Sequence, residues 1–148
     1  MEISEAGLEL IETSEGLATR VYNDDAGVPT IGCGHKLLPG ESFPDGITEE
    51  QAIALLLQDV ENVEQALASL IPYTCTQGQF DALCDFGFNF GIENLRAVLS
   101  HGWSQVPVQI VRWVNAGGKP QPGMVMRRQA ELALWKESPV ADESAVPV

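Results

Sequence analysis

The sequence predicts an α+β fold in one domain, with its strands gathered near the N-terminus and helices over most of the remainder. Three observations carry this. Residues 23–27, Asn-Asp-Asp-Ala-Gly, form a turn-prone run between two short β-prone stretches, Val21-Tyr22 and 28–34, which reads as a hairpin. Apolar residues then recur at helical spacing from Thr48 to Leu70 and again from Gln77 to Phe90. A length of 148 residues suits one domain with a substantial core and leaves no room for a separate binding module.

Taken in order, Ser4 to Ser14 is predicted as a short helix with Ile3, Gly7, Leu10 and Ile11 on one side and Glu5, Glu9 and Glu12 on the other. Its last turn delivers Glu15, which then faces the negative end of the helix dipole. The hairpin folds Asp24 and Thr30 back toward Glu15, with Pro29 at an edge or unpaired position. Pro and Gly make 37–47 a loop. The strongest helix starts at Thr48: Thr48 and Gln51 form a capping box, Glu49 and Glu50 complement the dipole, and Ile53, Leu56, Leu57, Val60, Val63, Leu67 and Leu70 form the apolar stripe. With Pro72 as its stop it is a rod of roughly 35 Å at 1.5 Å per residue. Gln77 to Phe90 is a helix with Phe80, Leu83, Cys84, Gly87 and Phe88 on its buried stripe and Gly91 as its stop. Its four Phe are assigned to the core, while Asn89 either caps or faces a groove. Asn94 to Ser100 and Val106 to Val114 are short helices, 116–123 a loop and Met124 to Lys136 a final helix. Residues 138–148 hold too little large apolar surface to fold and are expected to form a flexible tail.

Two carboxyls in unlike surroundings, Glu15 at a helix end and Asp24 on a solvated turn, are what hydrolysis of a glycosidic bond requires: a proton donor and a base or charge stabiliser. On residue types alone each also has a plainer reading, since helix-end Glu is usually solvated, turn Asp usually satisfies backbone groups, and Thr30 is an ordinary strand residue.

The spacing Glu15-x8-Asp24-x5-Thr30 followed by TIGCGH resembles the catalytic signature of the bacteriophage-type lysozymes, the endolysins of glycoside hydrolase family 24. The segments QGQFDALCDFGFNFG at 77–91 and GMVMRRQAE at 123–131 resemble the same family's later motifs, in the same order. The resemblance implies a lysozyme-like fold over 1–137, with a small β-hairpin-containing N-terminal lobe and a helical C-terminal lobe joined by the long helix. It implies an N-acetylmuramidase that cleaves the β-1,4 bond between N-acetylmuramic acid and N-acetylglucosamine in peptidoglycan, with inversion, in bacterial cell-wall lysis. By register Glu15 is the acid, Asp24 the second carboxylate and Thr30 a holder of the attacking water, with adjacent Asp25 the competitor for Asp24's part. His35 is implied to be structural, buried against a carboxylate, rather than a general base. An ungapped count back from Trp135 puts Arg127 beside Glu15, where it would fix the carboxyl's orientation; a solvated basic helix face is the alternative. The rival from another class is a catalytically silent glycan-binding or scaffold domain on the same fold.

Composition bounds the partners. A formal charge of −13 argues against nucleic acid. It also argues against an anionic wall, but its distribution is uneven: residues 1–64 carry 14 acids and 2 bases, whereas 96–136 carry 6 bases and one acid, Glu131. Peptidoglycan glycan strands are the expected partner of a monomer. Cys33, Cys75 and Cys84, an odd number, fit a reducing compartment, and burial of all three is favoured over a Cys75 to Cys84 bridge or a reactive thiol. Two His and three Cys show no metal-ligand spacing, so neither metal nor cofactor is implied. No apolar run spans a bilayer and the N-terminus lacks a signal-peptide pattern. The expectation is synthesis in the cytoplasm of a bacterial host and action on the wall after release by another agent.

Overall fold

A computed structural model describes residues 1–137, and the tail expected over 138–148 lies outside the described residues. In chain order the elements are α1 (Glu5–Glu15), β1 (Ala18–Asn23), β2 (Pro29–Gly32), β3 (His35–Lys36), α2 (Glu49–Ala68), α3 (Gln77–Phe90), α4 (Ile92–Leu99), a 3₁₀ turn (Trp103–Gln105), α5 (Val106–Ile110), β4 (Asn115–Ala116), β5 (Lys119–Pro120) and α6 (Pro122–Lys136). The three-stranded sheet lies near the N-terminus and helices make up most of the remainder, as the α+β reading expected, with the short β4–β5 pair between α5 and α6 as the exception.

Ser4 caps α1, its hydroxyl accepting the Gly7 N–H, and buried Asp81 of α3 binds both the Ser4 hydroxyl and its N–H. The helix therefore starts pinned to the centre of the molecule. It ends at Gly16, whose φ of 71° turns the chain away while its N–H closes on Glu12 O. Glu15 is thus the last residue of a helix held at both ends.

The sheet has three antiparallel strands in the order β1-β2-β3, one more than the expected hairpin, because Gly32, Cys33 and Gly34 let the chain double back at once. Its pairing aligns Tyr22, Thr30 and Lys36 in one row across the strands, while Ile31 pairs with His35 in the next. Side chains alternate along a strand, so the first row faces a cleft and the second, with Ile31 and His35 both buried, faces inward.

Both hydrogen bonds of the capping box at Thr48 and Gln51 form. α2 runs 20 residues, about 30 Å. It stops before Pro72 because Leu70 and Ile71 already turn their N–H groups back to Leu67 O. Leu56 and Val60 join Ile11 and Cys33 in one apolar cluster; Val63 and Leu67 join Phe80, Leu83, Phe86 and Leu95 in a larger one. A single helix thus belongs to both clusters, which gives physical content to the link between two lobes. Leu57, assigned to the stripe, points outward and is 47 % exposed.

α3 is the hub. Phe80 to Gly87 are all buried, so this helix is covered on every side rather than on one stripe. Neighbours approach it so closely that a methyl group at Gly87 would meet Val63 Cγ1 at 2.7 Å. Its buried faces include two acids, Asp81 and Asp85. The loop expected at 116–123 folds instead into a two-strand hairpin, Asn115 pairing with Pro120 and Ala116 with Lys119, around Gly117-Gly118. α6 then begins at Pro122, in the first turn, where a missing N–H costs nothing.

Candidate active site

Between the sheet and the helices lies a cleft of about 860 Å³. Glu15, Asp24, Asp25 and Thr30 all line it, with Tyr22, Gly34 and Lys36 from the sheet, Phe88, Asn89 and Phe90 from the end of α3, Asn115 and Ala116 from the small hairpin, and Met126 and Arg127 from α6. The fold therefore brings together the three residues picked out by spacing. Phe80 and Phe86 are core, as expected, and Phe88 and Phe90, half-buried against the two apolar clusters, also form cleft wall.

Asp24 closes an Asx turn. Its Oδ1 accepts the N–H groups of Ala26 and Val28 at 2.9 and 2.8 Å, and its Oδ2 lies 3.0 Å from Lys36 Nζ. The Val28 N–H, then Lys36, then the Ala26 N–H hold its carboxyl below the usual range, so it is a preformed anion. Thr30 is buried and donates its hydroxyl proton to Val28 O at 2.9 Å. With that proton committed, the oxygen presents lone pairs and acts as an acceptor. Burial, then the nearby Glu15 and Asp24 charges, raise the Tyr22 phenol, which stays neutral.

Glu15 is gripped from two sides. Its Oε1 accepts from Arg127 Nη1 at 2.6 Å. Its Oε2 lies against Gly34, where a Cβ would come within 2.7 Å of it, and Gly34 has a φ of 74° that favours glycine in any case. Behind Arg127 stands Asp85, fully buried, accepting from Arg127 Nε at 2.9 Å and Nη2 at 2.8 Å. Arg128, also fully buried, binds Glu131 at 2.7 Å, Asn89 at 2.9 Å and Trp113 O at 3.2 Å, and stacks on Phe86 and Phe90. The solvated basic face considered for this arginine pair is therefore replaced by an interior ion network.

His35 lies outside the cleft. Its Nδ1 is 2.7 Å from Asp59 and its Nε2 2.9 Å from Glu41, so neither ring nitrogen is free. Burial works against the imidazolium, but the hydrogen bonds and charges of Asp59 and Glu41 outweigh it and raise the His35 pKa. Cys33, Cys75 and Cys84 are free thiols, Cys33 and Cys84 buried and Cys75 half-buried, and burial pushes the Cys75 thiol up to about 11.

Sequence reasoning missed Asp85, Glu131, Lys36 and Gly34. The available signal for Asp85 was an acid four residues after Asp81 inside a helix whose other positions are mostly apolar.

Comparison with known proteins agrees with this architecture. An endolysin of Acyrthosiphon pisum secondary endosymbiont phage 1 is 38% identical over 148 residues, covering 93% of this chain and 100% of the relative. The solved endolysin from Escherichia coli O157:H7 phage FAHEc1 superposes with a TM-score of 0.77 at 31% identity, over 93% of this chain and 94% of that one. The muramidase domain of SpmX from Asticaccaulis excentricus gives 0.77 at 31% identity, over 93% and 99%. The family model described as phage lysozyme matches residues 12–131, and on that match the chain belongs to the phage lysozyme family.

Proposed function

We propose that the chain is an N-acetylmuramidase that cleaves the β-1,4 bond between N-acetylmuramic acid and N-acetylglucosamine in peptidoglycan, with Glu15 as proton donor and Asp24 and Thr30 acting on water. That it is a glycoside hydrolase of the lysozyme type follows from its family. The observation that supports the residue roles is the unlike surroundings of the two carboxyls in one cleft: Asp24 is fixed as an anion by two backbone N–H groups and Lys36, whereas Glu15 has one oxygen committed to Arg127 and the other beside Gly34.

With Oε1 engaged by a donor, the proton that Glu15 delivers to the leaving glycosidic oxygen resides on Oε2. As the bond to the anomeric carbon lengthens, the Asp24 carboxylate stabilises the positive charge that develops on the sugar ring. Water attacks that carbon, one of its protons directed to Thr30 Oγ1 and the other lost toward Asp24. Single displacement by water inverts the anomeric centre, and proton NMR of the first-formed anomer tests this. Glu15→Gln keeps the shape and removes the acid, so we expect a folded protein whose release of reducing ends from purified peptidoglycan falls by at least about 10²-fold. Normal turnover by folded Glu15→Gln would overturn the assignment. The chain acts as a monomer on glycan strands after release to the wall; among the described residues no helix is long and apolar enough to cross a membrane.

A further inference from the structure

We propose that Asp85 is a positioning residue for the hydrolysis, acting through the Arg127 guanidinium on Glu15; this rests on Glu15 being the proton donor. Three helices meet at this point. Asp85 comes from α3, Arg127 from α6 and Glu15 from α1, and one guanidinium spans all three, its Nε and Nη2 on Asp85 and its Nη1 on Glu15. Two parallel hydrogen bonds to one carboxylate fix the plane of the guanidinium, and so fix the direction in which the remaining nitrogen points. Arg127 alone, on a side chain with several rotatable bonds, would not have that aim.

Packing does not account for the arrangement. A whole buried ion pair can often be replaced by well-packed apolar residues without loss of stability, so a wholly buried carboxylate in the hub helix is weak evidence for a stabilising role and invites another. The charge balance supplies one. Glu131 is wholly buried, its Oε2 accepts from Arg128, and its Oε1 has no partner among the described residues; burial, then the adjacent Asp85, raise its pKa, so the second arginine has its own carboxyl partner and Asp85 serves Arg127. Arg127 lies between two carboxylates, and Asp85, with two of its three hydrogen bonds, balances the guanidinium charge from behind. Without Asp85 that cation would face Glu15 uncompensated. The other titratable groups nearby are Tyr22, Cys33, Asp24, Asp25 and Lys36 on the sheet side of Glu15, with Glu12 beside Cys33, and Cys84 beside Asp85; burial keeps the phenol and both thiols neutral.

Asp85→Asn is the test, read against Glu15→Gln. We expect folded Asp85→Asn to lose roughly 10- to 100-fold in kcat on peptidoglycan, the scale of a misaimed catalytic group, with KM within about twofold. We also expect the alkaline limb of its pH–rate profile to move to lower pH by on the order of one unit, the effect of exposing a carboxyl to an uncompensated cation. A merely structural Asp85 would lower Tm and leave that limb in place. Should Asp85→Asn not fold, Arg127→Lys keeps the charge but lacks the planar fork that Asp85 holds by two parallel bonds, and the same drop in kcat at constant KM is expected. Wild-type kcat and an unmoved alkaline limb in either folded variant overturn the proposal. If Glu15→Gln is inactive at the same time, the assignment of Glu15 stands and only Asp85's part is lost; if Glu15→Gln is active, the assignment itself fails.

Discussion

Asp24 does two jobs with two oxygens. Oδ1 ties the turn, and Oδ2 with the net charge faces Lys36 and the cleft. Asn keeps the first and loses the second, so Asp24→Asn should abolish activity with little change in Tm. Exposed Asp25 makes neither set of bonds, and Asp25→Asn should alter neither quantity. Equal losses of activity from the two changes would assign the second carboxylate wrongly. His35 makes a different prediction, about pH. Its folded pKa lies above the ordinary 6.5, so its contribution to stability is complete below pH 6.5 and is lost as pH rises through the raised value. Glu41, lowered by the Leu38 N–H and then by His35, contributes above pH 4.5 and loses that contribution as pH falls through its lowered value. Asp59, raised by burial, opposes it on the acid side. Melting followed upward from pH 6 should therefore show a falling Tm that His35→Gln flattens; a slope equal in both proteins would remove His35 as its source. Among single residues, the places of Glu15, Asp24 and Thr30 in one cleft and of Arg127 beside Glu15 were legible because their spacing is local or shared with a family. Gly34 was not, because its contact with Glu15 is made by chain folded through the whole hairpin.

At the scale of elements, legibility followed local signals. α2 was readable almost to the residue at its start, since the capping box at Thr48 is sequence-local, and the structure adds a like box at Thr76 where α3 begins. The ends were less so: α2 stops on backbone bonds to Leu67 rather than at Pro72. The third strand and the small hairpin of β4 and β5 have two residues per strand, too few to show a period of two. Burial of α3 on all sides was also invisible, because a stripe identifies only the first neighbour and α3 has several. That burial has a measurable cost when violated. Gly87→Ala should destabilise the protein by about 1–3 kcal/mol in chemical denaturation, since the added methyl meets both Val63 and Leu95 and neither can leave a filled core. A neutral result would mean that α2 and α4 can move off the hub, contrary to its role in holding the cleft.

For the whole molecule the governing quantity is charge. The basic excess counted over 96–136 shrinks at the surface, because Arg127, Arg128 and Glu131 are buried; Arg96, Arg112, Lys119 and Lys136 remain exposed. Against a total of −13 these four give a weak counterweight. Approach to an anionic polymer is then opposed at long range, over a Debye length of roughly 10 Å at 0.1 M salt. Initial rates on fragmented peptidoglycan should rise as monovalent salt is added from low concentration, with Tm followed alongside. A rate that falls steadily at constant Tm would identify the exposed bases as the docking face and make charge reversal at Arg112 or Lys119 informative. The sealing of the ion network between α1, α3 and α6 has a further result. The ion pairs that stand behind Glu15 and the acids of the outer surface belong to separate populations of residues. A lineage facing a new wall can exchange acids such as Glu9, Glu49 or Glu61 one at a time, all of them exposed, and alter where the enzyme adheres without retuning how it cuts.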